Sequence, residues 1–102
     1  MKDNTHSIKE AEKFIRKLNN DNISTMTTRH MTVTRMSIDI PISSKTPDII
    51  ARVSVFYGVD NTPKFMALDN CNLFGEKYEP GEIIDNIDEF YEDVKKYIES
   101  VN

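Results

Sequence analysis

A single cysteine, Cys71, excludes an internal disulfide, and the polar opening Met1-Lys2-Asp3-Asn4-Thr5-His6-Ser7 lacks the apolar run of a secretory leader. Together they lead to the expectation of a reducing cytoplasm. No run of about 18 apolar residues occurs, so no membrane-spanning helix of ordinary length is expected. With two histidines and one cysteine, and no Cys-x-x-Cys, His-x-x-x-His or calcium-loop spacing, no metal site is expected. The three glycines, Gly58, Gly75 and Gly81, are isolated, which leaves no glycine-rich phosphate loop and no cofactor expectation.

Scarce glycine and proline, 38% hydrophobic residues and 29% charged residues are those of an ordinary globular chain, and 102 residues are enough for one core. A single domain over 1–102 is expected. Twelve isoleucines and nine asparagines, with few Gly, Pro and Ala, point to an AT-rich genome, as in a low-GC bacterium or its phages and plasmids.

What is present is segregated acidity. Glu79 to Val101 reads as one amphipathic helix with eight acids against two bases, a net of minus six, while the preceding residues carry plus two. Its apolar side, Ile83, Ile84, Ile87, Phe90, Tyr91, Val94, Tyr97, Ile98 and Val101, has helical spacing. At the other end, Ser7-Ile8-Lys9-Glu10 matches a capping box, and Ile8, Ala11, Phe14, Ile15 and Leu18 form a buried stripe that Asn19-Asn20-Asp21-Asn22 ends.

Between the helices the chain is rich in β-branched residues. Ile23 to Ile42 is extended, and the apolar phase changes between Met31, Val33 and Met36, Ile38, Ile40, Ile42, which predicts a bulge or bend near Thr34-Arg35. Ser43 to Asp48 is a predicted loop, Ile49 to Val59 a central strand, Gly58 to Pro63 a turn and Lys64 to Asp69 a third strand. Asn70 to Gly81 is a long loop. The expected fold is a two-layer α+β domain in the order αβββα, with a three-stranded antiparallel meander and both helices on one face.

This element order resembles that of double-stranded RNA-binding domains, whose second helix begins rich in lysine. Here Glu82, Asp85 and Asp88 occupy that place, which removes the main phosphate contacts; Lys9, Lys13, Arg16 and Lys17 make only a modest basic patch on the first helix, with Arg29, Arg35 and Arg52 on strands, so direct nucleic-acid binding is not expected. In element order and acidity, with Ile87-Asp88-Glu89-Phe90-Tyr91-Glu92-Asp93 as the acidic stretch, the chain is similar to some small phage-encoded anti-CRISPR inhibitors that present carboxylates in place of DNA phosphates.

Thiol chemistry would need His30 or His6 beside Cys71; a lone cysteine among apolar residues is more often a core filler. The expectation is therefore no enzyme. Asp85, Asp88, Glu89, Glu92 and Asp93 are the candidate partner-binding residues, either a docking face for a basic protein such as a nuclease or DNA-binding protein, or a solubilising face. Self-association into a homodimer through the sheet is the alternative, because strand 49–59 carries apolar residues on both faces.

Overall fold

The computed structural model describes residues 5–29, 35–60 and 62–102, with side chains from 9–26, 35–60 and 62–102. Helix α1 spans Thr5–Asn20, strands β1 Met26–Arg29, β2 Arg35–Ser43, β3 Thr46–Tyr57 and β4 Pro63–Ala67 follow, and helix α2 spans Ile87–Val101. A 3-10 turn at Cys71–Phe74 lies between β4 and α2. The strands form one antiparallel sheet in sequential order. The two-layer α+β meander thus stands, with β3 central as its two-sided apolar pattern predicts.

The sheet gains a fourth short strand. Residues 26–29 pair with β2 in the register Met26↔Asp39 to Arg29↔Met36, so the extended 23–42 stretch is divided into two paired strands. The expected bend at Thr34-Arg35 begins at Thr34, which lies outside the described residues, and Arg35 opens β2. The predicted 43–48 loop is shorter than expected: only Ser44 and Lys45 separate β2 from β3, and Pro47 sits within β3. At the chain's first helix, Ser7 falls inside α1 and not ahead of it, so the capping-box assignment does not hold; the Ser7 side chain lies outside the described residues.

Alternation decides which face is buried. Met36, Ile38 and Ile40 of β2 stand opposite Val55, Val53 and Ala51 of β3, which in turn meet Phe65 and Ala67 of β4. Against this face α1 places Ala11, Phe14 and Leu18, and α2 places Phe90 and Val94. The helices run parallel: Lys17 meets Asp88 at 3.0 Å, and one α1 turn on, Asp21 meets Lys95 at 3.9 Å.

Phe90 is the centre of the core. Its ring stacks on Phe14 at 5.8 Å and takes the edges of Phe74 and Tyr78 at 5.8 and 4.8 Å, so Phe90→Ala would cost about 4 kcal/mol, the usual loss for a buried phenylalanine. α1 ends as its asparagines predict: Asn22 takes φ 65°, and Ile23 N–H donates to the Leu18 carbonyl at 2.9 Å. Among the described residues no helix is long and apolar enough to cross a membrane.

Candidate functional site

The acidic helix begins later than its periodicity predicts. Residues 79–86 are not helical; α2 starts at Ile87, capped by Asn86, whose side chain accepts from Glu89 N–H at 3.0 Å. Ahead of it, Glu79-Pro80-Gly81-Glu82 closes a turn with Glu82 N–H donating to the Glu79 carbonyl at 3.0 Å, and Gly81 at φ 93° supplies the positive angle that a type II turn needs.

That turn delivers residues 81–84 to the outer edge of β4. Gly81 N–H donates to the Ala67 carbonyl at 2.7 Å, Ala67 N–H to Glu82 at 2.9 Å and Ile84 N–H to Phe65 at 2.8 Å, with Ile83 opposite Met66. An edge strand exposes unpaired backbone groups, and three such hydrogen bonds outweigh one more helical turn at the start of α2. Ile84 is buried and Ile83 partly exposed, as neighbours in an extended segment must be.

The five predicted carboxylates separate into two groups. Asp88 pairs with Lys17 of α1 at 3.0 Å, Glu89 pairs with Lys77, and Asp93 accepts from the Tyr78 hydroxyl and lies 4.0 Å from Lys77. These three therefore hold α2 to α1 and to the 76–81 segment. Asp85 and Glu92 are exposed and make no ion pair among the described residues. The sequence reading missed Lys77 and Tyr78 as their partners; a lysine and tyrosine within a loop ahead of an acidic helix were the available signal. Burial, and then the hydrogen bond to Asp93, push the Tyr78 hydroxyl well above its ordinary pKa.

Outside this region the main charged cluster is on the helix-free face of the sheet. Arg52 of β3 donates to both carboxylate oxygens of Asp39 on β2, at 2.7 and 3.2 Å, with Asp69 at 3.7 Å on its other side. The hydrogen bond to Asp39 raises the guanidinium pKa further. Arg35 lies over the Phe56 ring at 5.2 Å, and Ser54 presents a fully buried hydroxyl with no hydrogen-bond partner among the described residues. Arg52 and Asp69 also line an open hollow of about 560 Å³ with Asp48, Ile50, Asn70, Asn72 and Pro80.

Cys71 is fully buried, its Sγ donates to the Arg52 carbonyl at 3.2 Å, and burial pushes the thiol up to about 11. His30 and the side chain of His6 lie outside the described residues. Among the described residues no three His, Cys, Asp or Glu side chains are grouped to hold a metal ion. Comparison of the chain with protein-family models, with curated proteins and with solved structures finds no match in any of the three.

Proposed function

We propose that the chain is a small acidic, non-enzymatic interaction protein that docks on a protein with a basic surface and inhibits or regulates it, in the manner of a phage- or mobile-element-encoded DNA mimic. The supporting observation is the run from Glu76 to Asp93, which holds eight acids and one base, Lys77. Lys77 is already engaged by Glu89, while Glu76, Glu79, Glu82, Asp85 and Glu92 make no ion pair among the described residues. Carboxylates in excess over local cations favour a basic groove of the kind that nucleases and DNA-binding proteins present to phosphates. The thiol alternative is weaker on chemical grounds, because a buried, protonated sulfur is a poor nucleophile at neutral pH.

The test exchanges Glu79, Glu82, Asp85 and Glu92, which make no ion pair among the described residues, together for Gln or Asn. A basic partner recovered from the host and confirmed by direct titration should bind the folded variant at least about tenfold more weakly and lose affinity with salt. Equal affinity of the two proteins would overturn the reading.

A second reading, self-association through the sheet, draws on the helix-free face, where Met26 of β1 is 57% exposed and Phe56 of β3 and Met66 of β4 are half-buried. The β4 edge is closed to strand pairing by residues 81–84, so such a dimer would use the face or the β1 edge. Sedimentation showing a strict monomer at high concentration would end it.

A further inference from the structure

Strand register lays out the face of the sheet that carries no helix. Ser37, Ser54, Met66 and Ile83 stand opposite one another in turn and make a rung across its middle. Two residues along the strands to one side is the rung of Arg35, Phe56 and Lys64, and two residues to the other side Asp39 pairs with Arg52. Ile83 reaches this face only because residues 81–84 lie extended along β4.

Apolar surface gathers at the β4 end of the middle rung. Ile83 is 39% exposed, and Met66 and Phe56 are half-buried. Ser37 and Ser54, in the same rung, are small and buried beneath their neighbours, which lets another surface approach closely. The flanking rungs differ in sign. Asp39 and Arg52 cancel at 2.7 Å, as do Lys64 and Asp60 at 3.2 Å, which leaves exposed Arg35 on one side and Asp69, with a side chain 68% exposed, on the other.

We infer that this face receives a second copy of the chain, sheet on sheet, with the two-fold axis crossing the strands along the rung of Ser54, Met66 and Ile83. The inference rests on the self-association reading above and adds to it the face and the axis. Met66 and Ile83 pack on their own copies, and the cationic rung of each protomer lies over the anionic rung of the other. An axis parallel to the strands would instead set each charged rung over its own kind. Charge also selects a copy as the occupant: chains of net charge minus four repel unless they meet where charge is balanced, as it is here, while α2 and its carboxylates pack on the opposite layer. At about 3.3 Å per residue and about 4.8 Å between strands, the four strands and residues 81–84 present roughly 500 Å² of flat sheet, and side-chain relief brings the accessible area toward the roughly 800 Å² that each partner of a stable complex buries.

The test is sedimentation of the full chain across a wide range of concentration. The native protein should form a dimer. Ile83→Lys, at a side chain already partly in water, sets two lysines against each other at the axis and should weaken that dimer at least about tenfold with an unchanged circular dichroism spectrum. Asp69→Lys, which puts a lysine over the cationic rung, should weaken it as well, whereas Val59→Lys, at a fully exposed turn residue, should not. Each added lysine lowers the net negative charge, so a general charge effect would tighten the dimer. A strict monomer overturns this inference together with the self-association reading. A dimer indifferent to Ile83→Lys overturns the face and leaves self-association standing, and one lost on Ile83→Lys but indifferent to Asp69→Lys overturns the axis.

Discussion

The hydroxyl of Tyr78 donates to the carboxylate of Asp93, and this one bond ties the segment leading into α2 to the middle of that helix. The Tyr78 ring meets Phe90 edge-on at 4.8 Å, so the tie is anchored in the aromatic core. Tyr78→Phe should keep the packing, lose the hydrogen bond and cost about 1 kcal/mol in denaturant unfolding. Burial and Asp93 both hold the Tyr78 proton in the folded state, so its pKa is raised above the ordinary value of 10. The stability this contributes is complete below pH 10 and is lost as pH rises through the folded value. Unfolding measured across alkaline pH should show a steeper loss in the native protein than in Tyr78→Phe; equal slopes would refute the assignment.

Cys71 should react with a thiol reagent only after opening of the fold. Modification in native buffer is expected to be at least about a hundredfold slower than in denaturant, because the sulfur is buried and its thiolate is disfavoured. Cys71→Ala should retain partner binding and any biological activity; loss of activity in a correctly folded variant would revive thiol catalysis.

The Asp39–Arg52 pair is asymmetric, and its variants should be too. The Asp39 side chain is 9% exposed and that of Arg52 45%, so Arg52→Ala strands a buried carboxylate whereas Asp39→Ala leaves a guanidinium that can reach water and Asp69. Arg52→Ala should cost about 2 kcal/mol and Asp39→Ala about 1 kcal/mol. Chemical denaturation at neutral pH measures both; a larger loss for Asp39→Ala would contradict the assignment.

Gly81→Ala tests how the sheet edge is closed. No atom lies within 4 Å of the added Cβ, so any loss comes from the backbone angle of φ 93°, and about 1–2 kcal/mol is expected. Hydrogen exchange of the Ala67 and Ile84 amides should rise in that variant. In Asn86→Ala, which removes the α2 cap at about 1 kcal/mol, the fastest change should appear instead at Glu89.

Much of this architecture is written in local pattern. The α1 stripe, the alternation of Met36, Ile38, Ile40 and Ala51, Val53, Val55, and the stripe from Ile87 to Val101 each follow from the period of one element, which neighbouring residues alone set. The acidic excess of the closing segment is likewise a property of composition. Pro80-Gly81 also announces its turn, since only glycine takes the required angle without strain.

Tertiary structure decided the rest. Ile83 and Ile84 fit the helical period of Ile87 as well as they fit an extended segment, and the choice depended on whether the β4 edge needed backbone partners. Residues 26–29 became a separate strand because β2 offered them a ladder, which no local pattern records. The roles of the acids were settled in the same way. Asp88, Glu89 and Asp93 became internal ties only when folding brought Lys17, Lys77 and Tyr78 beside them, whereas Glu82 and Asp85 have no ion-pair partner among the described residues. Periodicity acts over a few residues, whereas pairing acts between segments distant in sequence, and only the folded chain determines which of them meet.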